Sequence, residues 1–208
     1  MKISYAITCF NEIEETKRLT QFLFENIRPQ DEVVILMDSK GPDEMWDYLL
    51  SIESKLGVLM RSQFNNDFAE WKNRLSAGCW GDYIFNIDAD EMPSLHLIDN
   101  LPSLLENNDI DLAWVPRINT LIGDKDEIKS YVKSQRWSMN DEGWINWPND
   151  YQGRIYRRDP NISWSGKVHE KIEGHKTFAY YPSEEHWSLY HPKTLNRQIK
   201  QNELYSKL

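Results

Sequence analysis

Phe85 to Pro93, FNIDADEMP, decides how the rest of the chain is read. With Tyr83 and Ile84 before it, the stretch begins as an apolar run suited to a strand inside a protein. It then ends in Asp88, Asp90 and Glu91, three acids within four positions. Clustered carboxylates repel one another and are costly to take out of water. The run therefore predicts a buried strand that carries acids to a rim where positive charge is held.

The residues before it alternate between strand and helix patterns. Ile3 to Phe10 is a short apolar run, and Asp31 to Met37 contains VVILM, the mark of a parallel strand covered on both faces. Between them, Glu14 to Ile27 sets Leu19, Phe22, Leu23 and Ile27 at helical spacing. Pro42 opens a helix through Ser54, and Gly57 to Met60 reads as a further strand. Asp67, three residues before Glu70, caps a helix that ends near Gly78. This order is that of an open α/β sheet, in which ligands bind beyond the carboxyl ends of the strands. Asn11 and Glu12, Asp38 and Ser39, and Asp88 and Asp90 then share one rim.

After the acids the pattern loosens. A helix over Leu95 to Glu106, a strand over Asp111 to Ile118 and a strand over Gln152 to Arg157 are expected. A terminal helix over Lys193 to Leu208 is capped by Thr194 and turns Leu195, Ile199 and Leu204 inward. No clean period runs from Asn119 to Asn149, which reads as a long functional loop. No repeat or linker divides the 208 residues, so they are taken as one domain.

Composition narrows the function. A net charge of -9 argues against a general nucleic-acid binder, because neutralising phosphates needs a basic face. No apolar run reaches the length of a membrane span, and the start reads as a buried strand rather than a signal peptide. Cys9 and Cys79 read as buried filler in a reducing, cytoplasmic setting. Asp88 and Asp90, two apart on an extended chain, would face one side. Paired carboxylates suit a hard divalent ion, magnesium or manganese, which completes its shell with substrate phosphates and water.

Five segments resemble a known family: SYAITCFNE (Ser4–Glu12), VVILMDSKGPD (Val33–Asp43), FAEWKNRLSAGCWGDYIFNIDADE (Phe68–Glu91), YQGRIYRRDPNISWSGKVHE (Tyr151–Glu170) and EEHWSLYHPKTLNRQIKQNELY (Glu184–Tyr205). In this order they resemble family 2 glycosyltransferases of the GT-A fold, and within them the bacterial lipopolysaccharide-core sugar transferases. The resemblance implies a Rossmann-like, mostly parallel central sheet flanked by helices. Residues 1–92 would form the nucleotide-sugar half, and 93–208 a less regular acceptor-side half with the C-terminal helix. Thr8, Asn11 and Glu12 match the nucleotide-holding strand and loop, and Asp38 the acid that bonds the base. Lys72, Asn73 and Arg74 lie on the helix bordering the donor. Asp88, Ala89 and Asp90 match the metal and diphosphate motif, with His186 completing the metal shell. His169 and Glu170 match a Val-His-Glu signature. Trp144, Trp147, Arg154 and His169 are assigned to the acceptor side.

The activity implied is metal-dependent, inverting transfer of a sugar from a nucleotide diphosphate, UDP by resemblance, to a glycan hydroxyl. Glu170 is taken as the base, with Glu91 and Asp141 as the next candidates. Each residue also has a plainer reading: Asp38 as a turn cap, Asn73 and Arg74 as an exposed helix face, either histidine as structural. Rival classes are a silent nucleotide- or sugar-binding module and a nucleotidyltransferase. The loop TCFNEIEE lacks the Gly-rich, basic character that nucleotidyltransferases use for a triphosphate.

Overall fold

Four parallel strands carry the first part of the chain: β1 (Ile3–Cys9), β2 (Glu32–Asp38), β3 (Val58–Ser62) and β4 (Tyr83–Asp88). They stand in the order β3-β2-β1-β4 in a computed structural model that describes residues 1–205, the last two by backbone alone. The inward contact expected of Leu204 lies outside what is described. Helices α1 (Ile13–Asn26), α2 (Asp43–Ser51) and α3 (Phe68–Ala77) connect the strands. The second helix stops short of Ser54, where the chain tightens into a 3-10 turn over Glu53–Lys55.

Alternation along the strands sorts the core. Ile3, Tyr5 and Ile7, Val33, Ile35 and Met37, and Phe85 and Ile87 face α1, α2 and α4 (Leu95–Asn107), meeting Leu19, Leu23, Met45, Leu49 and Leu101. Ala6, Val34, Leu36 and Ile84 face the other way, onto Ala69, Trp71 and Leu75 of α3. Both faces are covered, which is why VVILM is apolar without a break. Tyr5, Ile35, Met37 and Phe85 are fully buried; a side chain of this kind contributes roughly 1.5–3 kcal/mol by leaving water.

The second part extends the same sheet. A two-residue strand, β5 (Met92–Pro93), precedes α4; β6 (Leu112–Ile122) and β7 (Tyr151–Arg157) follow. β7 runs antiparallel between β4 and β6. β6 is longer than its sequence predicts because two later strands share its free side. β10 (Phe178–Tyr180) pairs with its first residues and β11 (Leu189–Thr194) with its last. A separate hairpin, β8 (Ser163–Ser165) with β9 (Lys171–Glu173), packs Trp164 and Ile172 against the α3 side.

The stretch expected to be irregular from Asn119 to Asn149 is in part regular. β6 continues to Ile122, and α5 (Lys125–Ser134) follows, its first turn capped by Asp124 through the N–H groups of Asp126 and Glu127. Only Ile128 and Val132 of that helix are buried, too few to write a clear apolar stripe. α6 (Leu195–Tyr205) starts as expected, Thr194 accepting the Arg197 N–H at 3.3 Å. Among the described residues no helix is long and apolar enough to cross a membrane. Cys9 and Cys79 are free and buried, and burial pushes both thiols up to about 12.

Candidate active site at the rim of the sheet

β1 is the point where the sheet changes direction. From it the chain adds β2 and β3 on one side, then returns to place β4 on the other. A crevice at such a switch point is where open α/β sheets bind ligands. Thr8 of β1 and Asp88 of β4 are direct neighbours there.

The acids part at the end of β4. The Glu91 N–H donates to the Asp88 carbonyl at 2.8 Å, closing a turn immediately after the strand. Asp88 and Asp90 therefore do not share an extended chain, and the expectation that both face one cation is corrected: each has its own cations. Asp88 Oδ2 accepts from Arg154 at 2.5 Å, and its Oδ1 lies 3.7 Å from Lys72 Nζ. Asp90 Oδ2 lies 3.3 Å from His191 Nε2, 3.4 Å from Arg197 Nη2 and 3.7 Å from Lys193 Nζ. Burial pushes both carboxyls up, but these charges and hydrogen bonds outweigh it, so both sit well below the usual carboxylate range.

Glu91 lies beneath them, its side chain 0% exposed, accepting from Arg154 at 2.6 Å, Arg117 at 3.2 Å and the Asp88 N–H. It is sealed by these donors and cannot reach an acceptor, which removes it as a base. Arg154 is corrected with it. It is buried at the floor of the rim, spanning Asn86, Asp88 and Glu91, rather than standing on an acceptor surface. Arg157 and Arg158, at the end of the same strand, point away from the rim acids, pairing with Asp109 and Asp111 and with the Gly81 carbonyl.

The helix α3 residues divide. Lys72 is buried over the Trp164 ring, 4.4 Å from its centroid, and joins Glu170 at 2.7 Å to Asp88. Glu170 thus reaches the rim from a distant part of the sequence. Asn73 and Arg74 do not border the acids. The Asn73 amide both donates to and accepts from the Trp164 backbone at 2.8 Å, docking β8, while Arg74 reaches Ser62 and Glu70. Asp38 Oδ1 accepts from the Lys40 and Phe64 N–H groups, holding the turn that leaves β2. Ala89 is buried in the turn, and His169 is exposed on the loop before β9 with a left-handed φ of 57°.

His186 is placed elsewhere. It sits in a 3-10 turn, half exposed, 3.2 Å from Glu184 and edge-on to His96; none of its described contacts is with the acids. Strand β11 starts three residues later, and its alternation carries His191 and Lys193 to Asp90 instead. Asn119 sets the ring. Its amide N–H donates to the acceptor-only Asp150 carboxylate, so its oxygen faces His191 Nδ1 at 2.8 Å and takes that proton. In the neutral ring the Nε2 lone pair then faces Asp90, two acceptors side by side that a shared cation would satisfy.

The same strand end carries the aromatic loop. Ile145 bridges to Asn119, and Trp144 and Trp147 meet edge-on with centroids 5.2 Å apart, both half-buried. Trp137 packs instead with Tyr131, Ile128 and Leu195 in a small third core. Beside Asp90 a cleft of about 320 Å³ opens between α1 and α6, lined by Asn11, Glu12 and Glu15 on one side and by Asn196, Arg197 and Lys200 on the other. The sequence reading missed Arg117, Asn119, Asp150, His191, Lys193 and Arg197. For His191 and Lys193 the signal was the alternation in LYHPKT, masked by Pro192.

A parallel four-stranded start, an acidic turn after the fourth strand and a covering second half define a GT-A fold. The sequence profile described as "Glycosyl transferase family 2" matches residues 4–187, and the chain belongs to that family. No curated protein matches it. Among solved structures it is similar to S. aureus TarS 1–349 in complex with UDP-GlcNAc, at 14% identity and a TM-score of 0.62, covering 93% of this chain and 59% of that one. The same TarS fragment in complex with UDP gives 14% identity and a TM-score of 0.61, with 92% and 60% covered. The chain thus spans about three fifths of the TarS fragment it matches.

Proposed function

We propose that the protein transfers a sugar from a nucleoside diphosphate donor, UDP-linked by analogy with the ligands of TarS, to a hydroxyl of a glycan acceptor. The observation that carries this reading is Asp90: an acid at the switch-point rim, with a histidine, a lysine and an arginine converging on one oxygen beside an open cleft.

Asp90 and His191 fit a divalent ion, manganese or magnesium. Among the described residues no cluster of three or more His, Cys, Asp or Glu is arranged to hold a metal. Two protein ligands suffice for an ion that takes the rest of its shell from a diphosphate and water. When bound, it supplies charge to the diphosphate oxygens. Asp88 keeps Arg154 and Lys72 in place beneath the donor. Asn11 and Glu12 border the diphosphate, while Thr8 and Asp38 border the nucleoside.

The acceptor oxygen attacks the anomeric carbon as the bond to the diphosphate breaks, the electron pair leaving with the diphosphate. Its proton passes to Glu170, making the transfer an inverting single displacement. Trp144 and Trp147, with His169, flank the acceptor. Residues 1–92 supply the donor half and 93–208 the acceptor side, the latter also lending Arg154, His191, Lys193 and Arg197 to the donor. The two buried free thiols agree with a cytoplasmic setting.

A thermal-shift panel of nucleotides and nucleotide sugars, with and without Mn²⁺, tests the donor half. Stabilisation by one nucleotide class that needs the metal and is lost in Asp90→Asn is expected. No stabilisation by any nucleotide would sink the reading; binding without turnover would make the protein a silent module.

A further inference from the structure

We propose that Arg197 is a catalytic residue: it takes up the charge that appears on the departing diphosphate, and Glu12 and Glu15 hold it ready until the donor arrives. The inference rests on the donor reading above. The guanidinium is shared three ways, Nη2 at 2.9 Å from Glu12 Oε1 and 3.4 Å from Asp90 Oδ2, Nη1 at 3.2 Å from Glu15 Oε1. The other lysines and arginines that touch Asp88 or Asp90 are committed. Lys72 is buried against Trp164 and Glu170, Arg154 is buried between Asp88 and Glu91, and Lys193, 5% exposed, donates to Gln201 at 2.5 Å. Arg197 is 34% exposed and forms a wall of the cleft.

The charge balance gives it a task. A sugar nucleotide brings two negative charges on its diphosphate, which a divalent ion offsets, so donor binding leaves the net charge of the rim unchanged. Breaking the sugar–oxygen bond adds one negative charge to the leaving group. A cation that meets this charge as it forms stabilises the transition state more than the bound donor. A guanidinium suits this, since its planar fork can pass from carboxylate to phosphate oxygens and keep paired hydrogen bonds. Glu12 is fixed for its part, its other oxygen accepting the Phe10 and Asn11 N–H groups at 2.9 and 3.1 Å. Arg197 can therefore leave while the loop stays.

The plainer reading makes Arg197 a tether between α6 and α1. Calorimetry of the full chain with uridine, UMP and UDP in Mn²⁺, together with donor kinetics, separates the two for wild type, Arg197→Ala and Arg197→Lys. Expected for Arg197→Ala is a loss of roughly tenfold or more in UDP affinity, with UMP little changed. kcat should fall roughly 10²-fold, by more than the donor KM rises. Arg197→Lys, which keeps the charge without the fork, should fall between and stands in if the alanine variant does not fold. Equal weakening of UMP and UDP, or an unchanged kcat, overturns the proposal in favour of the tether. A wild-type protein that binds none of the three overturns the donor reading itself, and this inference with it.

Discussion

Three acids within four positions meet three different fates in one turn. Glu91 is sealed under Arg117 and Arg154, Asp88 pairs with Arg154 and Lys72, and Asp90 meets His191, Lys193 and Arg197, the last of which also walls the cleft. The demand for positive charge could be read from FNIDADEMP, and Lys72 could be placed near it; Arg117, His191, Lys193 and Arg197 could not be, because they lie far along the chain. Glu170 is the residue whose role is most open to measurement. Glu170→Gln keeps the shape and can still accept from the Lys72 ammonium, so fold and donor binding should persist. Turnover should drop by roughly 10²- to 10⁴-fold. Activity within a few-fold of wild type would put the base elsewhere, with exposed Asp141 the next to test.

At the scale of elements, the first four strands and their helices were legible because both faces of the sheet are covered and each helix carries an apolar stripe. Strands β8 to β11 were not. Three of them are three residues long, and β11 contains Pro192, which reads as a break. Pro192 is tolerated because β5 pairs only with Leu189 and Tyr190 and has ended before it. α5 was missed for its two buried residues, although Asp124 and the acids after it mark a start. The turn leaving β2 gives a test at this scale. A Cβ on Gly41 would lie 2.4 Å from the Phe10 carbonyl and 2.7 Å from Met37 Cε, so the exits of β1 and β2 pass closely only because that side chain is missing. Gly41→Ala should lower Tm by several degrees and weaken nucleotide binding. An unchanged melting curve would show that the loop gives way freely.

Across the whole molecule, carboxylates paired with cations tie distant segments together. Glu32, buried but held by Lys2, Ser4 and the Trp80 N–H, joins the amino ends of the strands. Asp150, half-buried, is held by Arg117 and Asn119 near the opposite rim. Burial raises both carboxyls, but their partners more than offset it, and both end below their ordinary values. In the unfolded chain they return to about 4. Above that pH their contribution to stability is complete; as pH falls through the lowered folded values, protons bind the unfolded state first and the contribution is lost. Urea midpoints should therefore hold between pH 7 and 5 and drop by pH 3. A midpoint that stays flat to pH 3 would mean these pairs add nothing.

His191 and Asp90 meet across 101 positions. A ribosome adding about 5–20 residues per second reaches the histidine roughly five to twenty seconds after the aspartate. Through that interval the nascent chain carries its acidic turn without the basic strand that neutralises it, so any chaperone or metal ion that shields those carboxylates has its opportunity then.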